Sequence, residues 1–461
     1  MRKRNWLVLA GLLCFVLLFP GCQRRIEPVP SHAATPAPTP TAMPTPEPTP
    51  EPTPLPTSEP TPVPVEIDGV SVSWDAQELD LAAVPVQEEA PAEETEEEAP
   101  VQEETPAAEA VPIAAEELAA ALRQLPLMQT VDLRGRALST DEQLALVEEF
   151  PEMSFLWDVD VLGVKVSPTD EHIILDDIPM TDTAELEKVL PLLSGVKKID
   201  MCRCGLDDET MYELNQRHED IEFVWITYIG NSPQRTDITS FCANTVGVQV
   251  NASSEELMVV LKYFPNLVAL DFGHSGWFIN DLSWLERVPN LEVLILVDCH
   301  VRDVTPIAQL KELTYLELFT NPYLMDVAPL AQLPKLRDLN LSLTCVSDLT
   351  ALQGMPSLRR LWVNGCMRLS AEQVDAFWRA TPECGVSYML DSSGALNGWR
   401  QDDRYFWMRD MFDAEYMPVT KEMRFHVTTK WYTPEGEEPR PMPTPTPREG
   451  LVPTPREEKT P

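Results

Sequence analysis

Four stretches of the sequence share one pattern of leucines at fixed spacing. They read LEVLILVDC at 291–299, LTYLELFTN at 313–321, LRDLNLSLT at 336–344 and LRRLWVNGC at 358–366, and they begin 22, 23 and 22 residues apart. In each stretch the middle alternates between an aliphatic residue and another residue, which is typical of a short strand with one apolar face. One unit of this size cannot bury its own leucines, so the pattern predicts units stacked into a solenoid.

The repeat extends beyond these four stretches. A fifth unit begins at Leu267, and an Asp followed by Leu or Val recurs in register at Asp281, Asp303, Asp326 and Asp348. Upstream, the frames that begin at 128 and 196 are weaker copies of the same strand, aligned at a shift of 68 residues and followed by longer helical arms. We expect the solenoid to cover residues 113–392, with strong repeats at 265–372, and to begin with a helix at 113–124.

The residue that ends each stretch is Cys299, Asn321, Thr344 or Cys366. The leucine spacing and this ending residue together form a pattern that resembles the leucine-rich repeat family, in particular the short repeats of internalin-like bacterial proteins. The resemblance implies an α/β solenoid with parallel strands on its concave face. It also implies that the ending side chain turns inward and hydrogen-bonds the neighbouring loop backbone.

The N-terminus has the features of an export signal. Arg2, Lys3 and Arg4 precede an apolar run at 6–19, which is too short to span a bilayer comfortably. Gly21 and Cys22 then resemble the end of a bacterial lipoprotein signal, which implies lipidation at Cys22 after cleavage of residues 1–22. We therefore expect an exported membrane lipoprotein that faces the extracellular side. An ordinary signal in which Cys22 is incidental is the alternative.

Two linkers follow the signal. The Pro/Thr-rich segment at 23–64 predicts an extended spacer, because proline fixes φ and removes hydrogen-bond donors. The segment at 65–112 predicts an acidic, disordered linker, since 21 Asp and Glu and no Lys or Arg lie between Ile26 and Leu122. A strand-like stretch at 70–74 could dock elsewhere.

The C-terminal part of the chain has an aromatic-rich segment followed by a second Pro-rich segment. Aromatic residues are concentrated at 397–412, which resembles a terminal segment of clostridial repeat proteins. We expect 393–432 to form a cap over the open end of the solenoid, with an aromatic ligand site as the alternative, and 433–461 to be a disordered Pro-rich tail.

The charge balance restricts the partners. The chain has 74 Asp and Glu against 35 Lys and Arg, and a formal net charge of −39. An acidic surface disfavours binding to nucleic acid and favours basic or neutral partners.

The cysteines and histidines do not form a catalytic or metal-binding motif. Cys204, Cys299 and Cys366 occupy the ending position of their repeats, where a buried thiol replaces Asn, and Cys202 should face the side opposite to Cys204. A disulfide among Cys202, Cys242, Cys345 and Cys384 is the alternative for an exported protein. The six histidines lie outside any zinc-protease motif. We therefore expect no enzyme activity, no cofactor and no metal.

The concave face is the predicted binding site. Side chains that flank the inward leucines point to this face. We expect an exposed apolar and aromatic patch here that binds a protein or a surface glycan, made of Val293, Ile295, Val297, Tyr315, Glu317, Phe319, Asn340, Arg360 and Trp362. The alternative is that the C-terminal segment covers the patch.

The sequence thus predicts a monomeric cell-surface binding protein held by a lipid anchor. A structural envelope protein without a discrete ligand is the alternative function.

Overall fold

The computed structural model describes residues 63–82, 111–245, 248–249, 251–390, 405, 408, 411–412 and 431–441, with backbone only at 244–245, 248–249 and 277–278. These residues belong to one compact unit, Pro62–Pro461, while Met1–Thr61 is a separate unit. The signal, Cys22, the Pro/Thr-rich segment and most of the predicted cap and tail lie outside the described residues. No described helix is long and apolar enough to cross a membrane.

The N-terminal half contains two three-stranded parallel sheets, β3-β5-β7 and β10-β11-β12, and several two-stranded pairs. Its strands are β1 (Val65–Ile67), β2 (Val70–Val72), β3 (Glu78–Asp80), β4 (Val111–Pro112), β5 (Thr130–Asp132), β6 (Arg136–Ala137), β7 (Ser154–Leu156), β8 (Val159–Val161), β9 (Val164–Val166), β10 (His172–Ile174), β11 (Lys198–Asp200), β12 (Glu222–Val224), β13 (Ile226–Ile229) and β14 (Ser232–Arg235). Its helices are α1 (Ala115–Leu122), α2 (Thr140–Glu149), α3 (Ala184–Val189) and α4 (Asp208–Arg217), with a 3₁₀ turn at Leu190–Leu192.

The C-terminal half contains a seven-stranded parallel sheet in the order β15-β18-β19-β20-β21-β22-β23. Its strands are β15 (Ser240–Cys242), β16 (Asn244–Thr245), β17 (Val248–Gln249), β18 (Ala269–Asp271), β19 (Val293–Ile295), β20 (Tyr315–Glu317), β21 (Asp338–Asn340), β22 (Arg360–Trp362) and β23 (Gly385–Ser387). Its helices are α5 (Ser254–Val260) and α6 (Ala371–Ala380), and 3₁₀ helices lie at Leu261–Tyr263, Gly276–Ile279, Ser283–Arg287, Thr305–Gln309, Ala328–Gln332 and Thr350–Leu352. The predicted leucine-rich repeat solenoid is confirmed.

The Asp that recurs in register after the strand caps the start of a 3₁₀ helix in four repeats. The carboxylates of Asp281, Asp303, Asp326 and Asp348 each accept a hydrogen bond from the backbone N–H two residues later, at 2.8–3.0 Å. Because such a side chain satisfies a backbone donor at the helix start, it fixes where each 3₁₀ turn begins. The α-helices α2, α4, α5 and α6 begin after Ser139, Asp207, Ser253 and Ser370, and each of these side chains accepts a hydrogen bond from the backbone N–H three residues later.

The predicted inward side chains at the strand ends hydrogen-bond the loops. Asn321 accepts from the backbone N–H groups of Cys299 and Val301, and its amide donates to the carbonyls of Leu296 and Leu318. Each of these bonds joins or closes buried turns, so one side chain satisfies four backbone groups that water cannot reach.

A left-handed residue immediately precedes this inward position in successive repeats. Arg203, His274, Asp298, Thr320 and Leu343 have φ between 54° and 64°, and Gly365 has φ 68°. A side chain is unfavourable in this conformation, yet five of these six positions carry one. At Gly365 an added Cβ would lie 2.4 Å from a Leu343 methyl carbon, so a side chain there would require the Leu343 side chain to move.

The weak upstream copies form a structural duplication. Thr130, Thr140, Ser154 and His172 begin β5, α2, β7 and β10, and Lys198, Asp208, Glu222 and Ser240 begin β11, α4, β12 and β15, a shift of 68 residues each time. The antiparallel hairpins β8–β9 and β13–β14 occupy matching places in the two copies. They separate the parallel strands into three sheets, and the sequence did not predict them.

The predicted disordered linker at 65–112 differs from the structure in its first part. Residues 65–80 contain the hairpin β1–β2 and the edge strand β3, which pairs in parallel with β5. The physical reason is the alternation of acidic and aliphatic residues around Leu79 and Leu81, which places both leucines in the core. The acidic residues point to water, so the composition concealed a strand.

The C-terminal end of the solenoid is covered by residues 431–441. The Tyr432 N–H donates to the Val386 carbonyl at the edge of the last strand, and the Tyr432 hydroxyl donates to Asp375 of α6. The Arg440 guanidinium lies over the Trp378 ring, 3.2 Å from its centre. This segment therefore closes the edge that would otherwise be open.

Candidate interaction surface

The nine predicted binding residues lie together on the concave face of β19–β22 and the turns after them. The register places Val293 beside Tyr315, and Glu317 beside Asn340 and then Trp362. The strand frame read from the sequence therefore located their positions correctly.

Their expected exposure is wrong. Of the nine, only Phe319 is half-buried, and the other eight are buried: Val293, Ile295, Val297, Tyr315, Glu317, Asn340, Arg360 and Trp362. The cause is the C-terminal segment, because Tyr405, Met408 and Phe412 pack against the apolar residues of this face. We call the concave surface of β18–β22 with these three residues the covered face. Whether its nine residues bind a partner stays a prediction.

The covered face encloses charged and polar groups. Arg360 donates to Asp338 at 3.0 Å, with side-chain exposures of 1% and 0%. The Tyr315 hydroxyl donates to Glu317 at 2.6 Å, and burial followed by the neighbouring carboxylate raises the pKa of Tyr315 well above its usual value. Buried charges are costly unless they are paired, so these contacts reduce the free-energy cost of burying the enclosed groups.

Asn340 lies in the middle of the covered face and is fully buried. Its side-chain oxygen accepts from the Ser342 N–H, whereas its side-chain nitrogen has no hydrogen-bond partner among the residues that the structure describes. A buried donor without a partner is uncommon in native proteins and costs stability. The Asn340 amide is therefore one polar group of this face that is buried at a cost to stability.

The N-terminal half presents a concave face of another kind. Outward positions of the sheet β3-β5-β7, of β10 at the edge of the next sheet and of the turns after these strands are exposed or half-buried. We call these positions on the two sheets the open face: Glu78, Asp80, Thr130, Asp132, Arg134, Ser154, Leu156, Asp158, His172, Ile174 and Asp176. Ile174 is 60% exposed, which is high for an aliphatic residue in a strand. Five carboxylates and one Arg lie among these residues, so the open face is acidic.

The charges of the open face are connected. Arg134 donates to both carboxylate oxygens of Asp132, and this hydrogen bonding lowers the pKa of Asp132. The same bonds raise the pKa of Arg134, and the negative charges of Asp80 and Asp158 contribute in the same direction. One guanidinium therefore interacts with the charges of three carboxylates, which leaves an excess of negative charge.

The hairpin β13–β14 covers the next two strands. Arg235 donates to Asp200 on β11 at 3.1 Å and to Asp237 at 2.9 Å, and Lys198 reaches Asp237 at 2.6 Å. Burial acts against the charged form of Asp237, but the bonds from Arg235 and Lys198 outweigh it and lower the pKa. This cluster marks one border of the open face.

Sequence reasoning missed several residues of these surfaces. Glu78 and Asp80 were assigned to a disordered linker, and Arg235 and Asp237 belong to an unpredicted hairpin. A signal was available for both. Leu79 and Leu81 alternate with acidic residues, and the 68-residue shift carries the strands at 159–166 onto 227–234.

The cysteines are free and mostly buried in the part of the chain that the structure describes. Cys299 and Cys366 donate to the carbonyls of Phe272 and Leu341, each at 3.1 Å, as expected for the inward position. Cys202 lies on the other face from Cys204, with its sulfur 3.7 Å from Arg235, and burial raises its pKa to about 11. These thiols are poor nucleophiles at neutral pH. Among the described residues, no three His, Cys, Asp or Glu side chains are placed to hold a metal.

Two grooves lie away from the concave faces. One of about 460 Å³ is lined by Trp378, Tyr432 and Arg440, which close the end of the solenoid. The other, of about 720 Å³, is lined by Asn215 and Lys262 among others. Asn215 is bonded to the Phe223 backbone and Lys262 to Glu209, so both polar groups already serve the fold.

No protein-family model and no curated protein matches the chain. Solved structures do match it. Internalin C2 from Listeria monocytogenes is 20% identical, with 34% of this chain and 76% of that chain covered and a TM-score of 0.26. The L. monocytogenes internalin InlF is 14% identical, with 65% and 80% covered and a TM-score of 0.23. A leucine-rich repeat protein of Leptospira interrogans is 14% identical, with 60% and 75% covered and a TM-score of 0.26. The strand pattern and register of this chain are those of a leucine-rich repeat fold. The chain is similar to these proteins in fold.

Proposed function

We propose that the protein is an exported, lipid-anchored leucine-rich repeat protein that binds a basic protein segment through its open face. The observation that carries this proposal is the contrast in exposure between the two concave faces. The open face presents Ile174 and the carboxylates of Glu78, Asp80 and Asp158 to water, whereas the face of the strong repeats is covered. A concave surface with an exposed aliphatic residue and excess negative charge is complementary to a segment with Lys or Arg beside aliphatic residues.

Charge reversal on the open face tests this binding. Asp80 and Asp158 are exposed and act on Arg134 through their charge, so Asp80→Lys with Asp158→Lys should leave the fold intact. The probe is a set of synthetic peptides that alternate Lys or Arg with Leu, measured by fluorescence anisotropy at two salt concentrations. Wild type should bind, more weakly at high salt, and the double variant should lose about tenfold or more in affinity.

The matched control has the same change in net charge elsewhere. Glu148 and Glu152 are exposed at the end of α2 and just beyond it. Glu148→Lys with Glu152→Lys should bind the peptides as wild type does. Equal losses in the two double variants would mean that overall charge, and not the open face, attracts the peptides, and the proposal would fail. Binding of neutral glycans in place of the peptides would also contradict it.

The membrane anchor rests on the N-terminal sequence. Arg2–Arg4, the apolar run at 6–19 and Cys22 have the order of a lipoprotein signal, and the proline-rich segment after them has the composition of a spacer. Palmitate labelling should depend on Cys22 and be absent from Cys22→Ala. Equal labelling of the two proteins would remove the anchor from the proposal.

A structural envelope protein is the second candidate. The covered face favours it, because the strong repeats do not offer their concave residues to a partner. A wild-type protein that binds none of the peptides would favour this candidate.

A further inference from the structure

The covered face contains an apolar cluster that is separate from the core of the solenoid. The core is made of the inward leucines of all the repeats. The second cluster joins residues of β18–β22, such as Val293, Tyr315 and Trp362, to Tyr405, Met408 and Phe412. Tyr405, Met408 and Phe412 thus pack on the concave side of the sheet, opposite to the leucine core.

The three covering residues have the spacing of a helix that lies in a groove. Tyr405, Met408 and Phe412 stand at positions i, i+3 and i+7, and the backbone is helical at Tyr405 and Met408. Side chains at this spacing share one face of a helix. Recognition of a short amphipathic helix by an apolar groove uses the same anchor positions.

The polar groups beneath the cover distinguish this face from ordinary core. Asp338, Arg360 and Glu317 are buried, and the side-chain nitrogen of Asn340 has no hydrogen-bond partner in the described part of the chain. A surface selected only for permanent burial would be expected to replace such groups with apolar ones, because burial penalises them. Retained charge and an unpartnered donor fit a face that is also exposed to water or to another ligand.

We propose that the covered face is a groove for an amphipathic helix with aromatic and methionine anchors, and that the chain's own Tyr405, Met408 and Phe412 occupy it as the anchors of a tethered, exchangeable ligand. A partner helix with the same anchors would displace this segment. This groove is separate from the open face, so the two proposals fail independently.

The tether makes the groove selective. A ligand on the same chain competes at an effective concentration of about millimolar or more, so an external helix must bind tightly or the segment must first be released. Weakening the anchors should therefore raise the apparent affinity for an external helix, because the competing state is removed.

The test uses the full chain and a labelled synthetic peptide of residues 401–416, QDDRYFWMRDMFDAEY. The variant Tyr405→Ala/Met408→Ala/Phe412→Ala weakens the tethered segment. We expect the peptide to bind this variant about a hundredfold more tightly than wild type, since wild type keeps its own competitor. A peptide with alanine at the same three positions should bind neither protein. Met367→Ala is the matched control, because Met367 is 73% exposed, and it should behave as wild type.

Thermal unfolding followed by circular dichroism resolves the remaining outcomes. If the groove is exchangeable, the triple variant melts cooperatively and the peptide raises its melting temperature. If the variant has lost cooperative melting and the peptide does not restore it, the segment is part of the core and the proposal is overturned. A folded variant that does not bind the peptide overturns it as well, as does wild type that binds as tightly as the variant.

Discussion

The two halves of the molecule use the same inward leucine frame and differ in what lies on their concave faces. The N-terminal half has long helices, sheets interrupted by hairpins and an open acidic face. The C-terminal half has one continuous sheet, short 3₁₀ turns and a covered face. The comparison shows that the frame determines the solenoid, whereas the segments outside it decide which concave surface meets a partner.

The largest expected effect tests whether the frame is equivalent in the two halves. Leu133 and Leu341 are both fully buried in the same core, one in each half. Leu133→Ala and Leu341→Ala should each lower the free energy of unfolding by about 3 kcal/mol, because each removes a well-packed side chain and leaves a cavity. Urea unfolding followed by circular dichroism measures both. A much smaller cost at Leu133 would show that the interrupted sheets form a looser core.

The next effect compares two ion pairs, one on each face. Asp338→Asn removes the carboxylate 3.0 Å from buried Arg360 and should cost about 3 kcal/mol, because a buried charge loses its paired partner. Asp132→Asn on the open face should change the unfolding free energy little, since its partner Arg134 stays in water. Equal costs at the two sites, measured by the same urea titration, would contradict the difference in burial between the faces.

A smaller effect concerns acid stability in the N-terminal half. Glu187 on α3 accepts hydrogen bonds from Arg217, Thr183 and His218, and the bond from Arg217 is the main reason that its pKa falls to about 2. Because the folded pKa lies below the unfolded value near 4.5, the stabilisation is fully present above that value and is lost as pH falls towards 2. With solvent screening, we expect a loss of about 1 kcal/mol.

Glu187→Gln provides the control for this pH dependence. Its melting temperature should be lower than that of wild type at pH 6, and the difference should shrink as the pH is lowered to 3. A difference that stays constant over this range would show that the contact of Glu187 with α4 is independent of its charge.

The smallest effect is a difference in rate between thiols of the two halves. Burial raises the pKa of Cys202 to about 11 and that of Cys299 to about 12. Both should react slowly with a thiol reagent in the native state, and Cys299, which is enclosed in the core, should be the slower. Mass spectrometry after labelling identifies the sites. In denaturant all seven cysteines between 202 and 384 should react, and fewer would indicate a disulfide.

Much of the fold was predictable because the leucine frame is a local pattern. The strands at 293–295, 315–317, 338–340 and 360–362 and the 68-residue shift follow from spacing, and the inward role of Asn321 follows from the resemblance to leucine-rich repeats. The hairpins did not follow, since short apolar runs such as 159–166 do not reveal their pairing partners. The edge strand around Leu79 was concealed by an acidic composition that suggested disorder.

The candidate site was predictable only in part. The alternation of side chains placed Tyr315, Glu317 and Trp362 on one surface, and the register confirms that placement. Periodicity describes which side chains share a face and does not say what packs on that face. The cover by Tyr405, Met408 and Phe412 depends on contacts about 40 to 140 residues apart in the chain, which no local pattern encodes.

The left-handed residue before each inward side chain has a consequence for insertions and deletions. Strand, turn and inward position keep one spacing in the six repeats that contain this residue, because adding or removing a residue there would misplace the positive φ and expose the buried hydrogen bonds. The chain after the turn is under no such constraint. It holds one extra residue in the repeat that begins at 313, and it holds whole helices and hairpins in the N-terminal half. Length variation among related chains should therefore accumulate on the side of the solenoid after the turn, and the concave strands should keep their length.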